Sequence, residues 1–233
     1  MKIALCIHGL YRSRVKPDPK TLHAKMRKAF PTADVYFHTW DAHVETIPSE
    51  FDGPILSCPE PVVDYHPVSD TKFICKHGKF GPYKEKKLNH GKMKNASKQI
   101  IGYADLVSKI NQEYDVFIRT RFDTEIADID FTPHLQMAIE KGPVGFMVRP
   151  VRGQTLKEIH QVRKENPDKM DDWYGYLCDS MIFHSPRHFD PSLVNSLHSD
   201  RNLLPAEWGW YQVMSEPFGD IHTCFHGGAK LAR

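Results

Sequence analysis

The first forty residues constrain the fold most, because they contain a strand, a helix and a second strand in succession. Ile3 to Ile7 is a short apolar run that ends in His8-Gly9, which is typical of a buried strand leading into a loop. Apolar residues recur at helical spacing from Leu22 to Phe30, and Asp34 to Trp40 predicts the second strand. Strands joined in this way pair in parallel. The sequence therefore predicts a Rossmann-like α/β fold with a mixed, mainly parallel central sheet flanked by helices.

The rest of the chain continues this alternation after one irregular stretch, Pro48 to Tyr83, and a lysine-rich patch from Lys72 to Lys98. The clearest later elements are an amphipathic helix at Asn95–Ile110 and a buried strand at Asp115–Arg121. The remaining predictions are strands at Gly145–Val148, Leu177–His184 and Ile221–Phe225, and helices at Pro191–Leu197 and Pro205–Met214. No internal repeat or linker divides the 233 residues, so a single domain is expected.

Composition excludes several classes of protein. The formal net charge of +2 gives no overall attraction to nucleic acid or anionic lipid, and no apolar run is long enough to span a bilayer. The apolar N-terminal run lacks a cleavage site, so we expect a soluble, cytoplasmic protein. Five widely spaced cysteines favour reduced thiols, and Cys58, Cys75 and His77 match no paired zinc-finger spacing.

The main chemical signal is Asp123-Thr124-Glu125, directly after the strand at Asp115–Arg121. Open α/β sheets bind ligands beyond the carboxyl ends of their strands. Carboxylates two residues apart in an extended segment point to the same side, so both can reach one hard divalent cation. Mg²⁺ or Mn²⁺ in such a site also binds diphosphate oxygens. Ordinary loop carboxylates are the alternative reading of the same pattern.

The stretch YDVFIRTRFDTEI resembles a segment of small glycosyltransferases encoded by large DNA viruses and by capsule or lipopolysaccharide gene clusters. Arg119, Arg121, Asp123 and Glu125 carry the resemblance, with Glu125 in place of the second aspartate of the D-x-D motif. The resemblance implies a single-domain GT-A fold over 1–233, with a nucleotide-sugar half at 1–125 and an acceptor half at 126–233. It further implies a metal-dependent glycosyltransferase that uses a nucleotide-diphosphate sugar and a glycan or glycoconjugate hydroxyl.

The resemblance also implies roles for individual residues on the donor side. The loop with His8, Gly9, Tyr11 and Arg12 is expected to hold the nucleotide. Lys94 and Lys98 are expected to face the donor, although a solvated helix face is the alternative. Arg119 and Arg121 are expected to bind the donor, and Lys230 or else Arg233 is expected to lie near its diphosphate.

On the acceptor side, the resemblance implies an inverting transfer with a carboxylate as the general base. Glu207, at the start of a predicted helix, fits that role best, and Asp179 is the second candidate. The alternative for Glu207 is stabilisation of the helix N-terminus. His222, or else His226, is expected to complete the metal site with Asp123 and Glu125. A retaining mechanism stays open.

Two other functions stay open from the sequence. A nucleotidyltransferase-like enzyme shares the opening strand–helix–strand unit and the acidic metal site, but its usual glycine-rich loop is reduced here to Gly9. A non-enzymatic module could bind nucleic acid through the Lys72–Lys98 patch, which has few interleaved aromatic residues and no accompanying motif. We therefore expect a nucleotide-sugar partner and no nucleic acid.

Overall fold

The computed structural model describes residues 1–63, 72–76, 83–87, 90–147, 177–200, 206–218, 223–226 and 228–231. Its strands are β1 (Ile3–His8), β2 (Asp34–Trp40), β3 (Ile55–Cys58), β4 (Lys72–Lys76), β5 (Tyr83–Lys87), β6 (Val116–Arg121), β7 (Thr124–Ile126), β8 (Val144–Met147), β9 (Met181–His184), β10 (Thr223–His226) and β11 (Ala229–Leu231). Its α-helices are α1 (Pro19–Ala29), α2 (His90–Lys109), α3 (Thr132–Glu140), α4 (Pro191–Asp200) and α5 (Ala206–Met214).

Seven strands form the central sheet in the order β10-β8-β9-β6-β1-β2-β3. The pairs β6–β1, β1–β2, β2–β3 and β8–β10 are parallel, whereas β9 runs antiparallel to both β6 and β8. Two small antiparallel pairs, β4–β5 and β7–β11, lie outside it. The predicted mixed, mainly parallel sheet is therefore confirmed.

Helices cover the two faces of this sheet because alternate residues of each buried strand point to opposite sides. On one side, Met26 of α1 and Leu135 of α3 belong to the same apolar core as Leu5 and Ile7 of β1. On the other side, α2 contributes Ile100, Tyr103 and Leu106, and α4 and α5 add further apolar residues. The carboxyl ends of β1, β2 and β6 are left open between these layers.

Several predicted boundaries were wrong. The helix predicted from Asn95 begins at His90, and β3 lies inside the stretch predicted to be irregular. The strand predicted from Leu177 begins only at Met181, because the Asp179 carbonyl accepts a hydrogen bond from the Arg119 side chain instead of pairing with a strand. The small β7–β11 pair was not predicted. Among the described helices, none has both the length and the apolar character needed to cross a bilayer.

Candidate active site

A cavity of about 290 Å³ opens where β1, β2 and β6 end. The last residue of each strand, His8, Trp40 and Arg121, contributes to its wall. Among the residues that the structure describes, the lining consists of His8, Gly9, Leu10, Arg12, His38, Trp40, Glu60, Asn95, Lys98, Gln99, Arg121 and Asp123. The carboxyl ends of neighbouring parallel strands are where α/β sheets bind ligands. Six residues predicted from the sequence to bind donor or metal therefore line one cavity.

The loop after β1 is shaped by Gly9. Its φ of +111° lies in a region that side chains disfavour, and its N–H donates to the His38 carbonyl at 3.0 Å. Tyr11 then turns away from the cavity, and its ring packs edge-on against Phe51 at 5.8 Å and Phe122 at 5.9 Å. The loop thus presents Arg12 to the cavity, and it anchors Tyr11 in the core.

Arg119 is not among the cavity-lining residues but lies beneath two of them, His8 and Gln99, and against Trp210; we call these four residues the floor. Its guanidinium is completely buried, and it donates to His8 Nε2 at 2.7 Å, to Gln99 Oε1 at 3.1 Å and to the Asp179 carbonyl. It also lies 4.4 Å from the centre of the Trp210 ring, a cation–π contact. Burial lowers the pKa of Arg119 to about 10, which leaves it charged at neutral pH. The hydrogen bonds of this floor go to neutral acceptors.

The floor also sets the state of His8. Because Arg119 donates to Nε2, that nitrogen must be the unprotonated one, and the ring proton stays on Nδ1. Burial, and then the nearby charge of Arg119, hold the pKa of His8 well below its usual range. His8 therefore enters the cavity wall as a neutral imidazole.

The rim of the cavity consists of Arg12, Glu60, Lys98, Arg121 and Asp123. Arg121 donates to both carboxylate oxygens of Asp123, at 2.8 and 2.7 Å, in a bidentate pair. Lys98 Nζ lies 2.6 Å from Glu60 Oε1, with both side chains partly exposed. Arg12 is exposed. Burial also lowers the pKa of His38, so with both histidines neutral the three cations and two carboxylates leave the described part of the lining with one excess positive charge.

Asp123 and Glu125 were expected to point to the same side, but they enter different surroundings. A turn at Phe122–Asp123 separates β6 from β7 and breaks the extended conformation that this expectation required. Asp123 lines the cavity, whereas Glu125 lies 3.6 Å from Lys25 of α1 and is not among the cavity residues. Mg²⁺ and Mn²⁺ are often held by one carboxylate plus substrate phosphates. Asp123 could therefore supply the one carboxylate for such an ion, and a diphosphate in the cationic cavity could supply further oxygen ligands.

Of the two predicted general bases, the structure describes the side chain of Asp179 and only the backbone of Glu207. Asp179 lies just before β9, half-buried, and is not among the cavity-lining residues that the structure describes. Glu207 follows the first residue of α5, in agreement with the predicted helix start, but its side chain lies outside the described residues. The side chains of Lys94, Lys230 and His226, and all of His222, also lie outside them. The backbone of Lys230 pairs with Glu125 across β11 and β7.

Sequence reasoning missed six cavity residues: Leu10, His38, Trp40, Glu60, Asn95 and Gln99. His38 and Trp40 had a usable signal, because they end a strand predicted to be parallel to β1. Glu60 had no usable sequence signal, because it follows β3, a strand that was itself not predicted. Asn95 and Gln99 lie one helical turn apart on α2 and share a helix face with Lys98. They were missed because the prediction for this helix considered only its lysines.

No protein-family model matches the sequence, and a search of curated proteins found no match. Solved structures similar to the chain include mouse xyloside xylosyltransferase 1 in its apo form, at 11% identity and a TM-score of 0.38 over 96% of this chain and 84% of that one. Galactosyltransferase LgtC, in complex with donor and acceptor sugar analogues, is 10% identical and has a TM-score of 0.45. The match covers 96% of this chain and 73% of that one. CMP:2-keto-3-deoxy-manno-octonic acid synthetase, complexed with CTP, is 11% identical and has a TM-score of 0.45. The match covers 100% of this chain and 91% of that one. Two of these structures are thus of glycosyltransferases and one is of a synthetase that binds CTP.

Proposed function

We propose that the protein is a metal-dependent glycosyltransferase that transfers a sugar from a nucleotide-diphosphate sugar to a hydroxyl of a glycan or glycoconjugate. The observation that carries the proposal is the rim: three cationic side chains and the Asp123 carboxylate surround a cavity at the ends of parallel strands. A diphosphate matches this charge pattern, because arginines bind its oxygens in bidentate fashion and a carboxylate shares a divalent cation with them. The resemblance of the segment at 114–126 to small glycosyltransferases supports the same reading.

The rim side chains have one electrostatic task in this reaction, which is to stabilise the charge that develops on the departing diphosphate. Arg12, Lys98 and Arg121 are close enough to the cavity to do so directly. A Mg²⁺ or Mn²⁺ ion held by Asp123 would add a Lewis acid at the same phosphate oxygens. The neutral floor residue His8 offers its Nδ1–H as a hydrogen-bond donor, because Nε2 is occupied by Arg119.

The ion pair between Arg121 and Asp123 affects how a metal and a nucleotide would bind. In the free protein it occupies both oxygens of Asp123. A cation bound at Asp123 would compete with Arg121 for those oxygens, and a guanidinium released in this way would face the cavity that receives the diphosphate. Metal and nucleotide are therefore expected to bind more tightly together than either does alone. The general base of an inverting transfer is assigned, in this proposal, to Glu207 or to Asp179.

The test is a screen of nucleotide-sugars for release of nucleoside diphosphate, with and without Mn²⁺. Asp123→Asn should lower the metal-dependent rate by about a hundredfold or more, since it removes a charge that contacts the reacting group. Glu125→Gln is the matched control: it neutralises a carboxylate two residues away that contacts Lys25, and it should change the rate far less. Circular dichroism should show both variants folded.

Other outcomes would replace the proposal. Release of pyrophosphate from a nucleoside triphosphate and a sugar phosphate would identify a nucleotidyltransferase. Stabilisation of the protein by oligonucleotides, and not by nucleotides with Mn²⁺, would favour the nucleic-acid-binding module. Equal rates for wild type and Asp123→Asn would remove Asp123 from the site.

A further inference from the structure

Three potential metal ligands meet at the part of the cavity wall that His38 forms, and Asp123 is not one of them. They are His38 on β2, Cys58 at the end of β3 and Asp105 on α2. His38 Nε2 lies 3.0 Å from Asp105 Oδ2 and 3.6 Å from Cys58 Sγ, and all three ligand atoms lie within 4.8 Å of one another. His38 is buried, whereas Cys58 and Asp105 are half-buried, so the cluster opens to solvent on one side.

The fold assembles this cluster from distant parts of the chain. β2 and β3 pair in parallel, with Trp40 opposite Cys58, so that their carboxyl ends lie side by side. Helix α2 crosses over these ends, and Gly102 permits the close approach because a Cβ there would lie 2.7 Å from the Trp40 ring. Asp105 follows one turn later on the same helix. The sequence alone does not predict such a site, because its residues are 20 and 47 positions apart and form no short motif.

The spacing of the ligand atoms suits a tetrahedral ion. With zinc–sulfur and zinc–nitrogen bonds of about 2.3 and 2.05 Å, tetrahedral geometry separates the two ligand atoms by about 3.6 Å. The observed separation of Cys58 Sγ and His38 Nε2 is 3.6 Å. The His38–Asp105 separation of 3.0 Å is that of a hydrogen bond and has to widen by a few tenths of an ångström, which the half-buried Asp105 side chain can accommodate.

A neighbouring lysine, Lys109, supplies a positive charge next to the Asp105 carboxylate. Lys109 Nζ lies 2.8 Å from Asp105 Oδ2 and donates to the Ser57 carbonyl at 2.6 Å. It neutralises Asp105 in the absence of another cation. Its side chain is 39% exposed, so it can move into solvent when a doubly charged ion takes over that task.

We propose that His38, Cys58 and Asp105 form a binding site for a borderline transition-metal ion of the Zn²⁺ class, with water in the fourth position. Ions of this class bind thiolate and imidazole well, whereas Mg²⁺ prefers oxygen ligands, so Cys58 and His38 favour a Zn²⁺-class ion over Mg²⁺. Binding releases the Cys58 thiol proton to solvent, while His38 turns the lone pair of a neutral ring nitrogen to the metal. The bound ion would tie β2, β3 and α2 together next to the His38 part of the cavity wall. This site does not depend on the proposed glycosyltransferase activity.

The experiment is a titration of the chelator-treated full chain with Co²⁺, followed by competition with Zn²⁺. Cobalt bound to a thiolate gives a sulfur-to-metal charge-transfer band, which carboxylate-only sites such as Asp123 do not give. We expect one equivalent to bind with this band. Cys58→Ser should abolish the band, whereas Cys178→Ala, which removes a buried thiol elsewhere, should keep it.

Lys109→Met provides a test that does not depend on disturbing a buried residue. It removes the cation that competes for Asp105, so Co²⁺ should bind about two to five times more tightly. Asp105→Asn should weaken binding and still leave a folded protein. The proposal is overturned if wild type shows no charge-transfer band, or if the band persists in Cys58→Ser. It is equally overturned if Lys109→Met binds no more tightly than wild type.

Discussion

The floor and the rim of the cavity use charged side chains in opposite ways. On the floor, Arg119 is fully buried and hydrogen-bonds to neutral acceptors. On the rim, two residues further along β6, Arg121 is partly exposed and pairs with the carboxylate of Asp123. A buried cation surrounded by neutral donors and acceptors is costly to disturb, whereas a partly exposed ion pair can exchange partners. The comparison suggests that the floor maintains the shape of the cavity and that the rim binds the ligand.

The largest expected effect comes from removing the floor cation. Arg119→Met leaves the acceptors on His8, Gln99 and Asp179 without their donor and also loses the contact with Trp210. Breaking a buried charged network typically costs about 3 to 5 kcal/mol of the free energy of unfolding. Urea denaturation followed by circular dichroism measures this loss.

Arg121→Met is the matched control for that experiment, because it makes the same change two residues away on the same strand. Its pair with Asp123 is partly exposed, so the free energy of unfolding should fall by about 1 kcal/mol or less. Similar losses in the two variants would show that floor and rim do not differ in the way described.

Buried His184 makes the stability of the folded chain depend on pH. His184, packed against floor-side Tyr103, donates from Nδ1 to the Ser185 carbonyl at 2.9 Å and accepts from the Tyr103 hydroxyl at 2.7 Å. Burial lowers its pKa from 6.5 to about 4. The unfolded chain therefore takes up a proton at higher pH than the folded one, and stability present above pH 6.5 is lost as the pH falls towards 4.

This loss amounts to about 3 kcal/mol for a pKa difference of that size. It is measured as the free energy of unfolding between pH 7 and pH 4. His184→Gln keeps a hydrogen-bonding side chain without a titrating group, so its stability should fall less over this range. If the variant and the wild type lose equal stability, His184 is not the source of the acid sensitivity.

The floor was only partly predictable from the sequence. The strand that carries Arg119 and Arg121 was predicted from its apolar, β-branched residues, and alternation places both arginines on one face. Their different partners were not predictable, because Gln99, Asp179 and Trp210 reach Arg119 from remote segments. Local patterns give the strand and its end, and tertiary packing decides which side chain is buried.

The rim shows the same limit at shorter range. Asp123 was predicted to lie at a strand end, and it does line the cavity. Its separation from Glu125 was missed because the turn at Phe122–Asp123 was read as extended. Phe122 causes the difference: its ring is buried against Phe37 and Phe51, and this contact bends the chain before β7. Tyr11 was misplaced for a related reason, since it joins the same aromatic cluster.

The smallest expected effect concerns the second ion pair of the rim. Lys98 and Glu60 are 29% and 46% exposed, so Glu60→Gln should change the free energy of unfolding by about 1 kcal/mol or less. The same change frees the Lys98 ammonium for a phosphate. Nucleoside diphosphate should then bind about two to five times more tightly, and the gain should shrink at high salt because the contact is exposed.

Calorimetric titration at two salt concentrations measures this gain, with Glu50→Gln as the control. Glu50 also pairs with a lysine, Lys20, at 2.6 Å, but away from the cavity, so its removal should leave nucleotide affinity unchanged. A fall in affinity in Glu60→Gln would mean that Glu60 itself binds the ligand, as a carboxylate does when it accepts from ribose hydroxyls. The rim would then contain a direct ligand contact in place of an exchangeable ion pair, and Lys98 would be held by Glu60 in the bound state as in the free one.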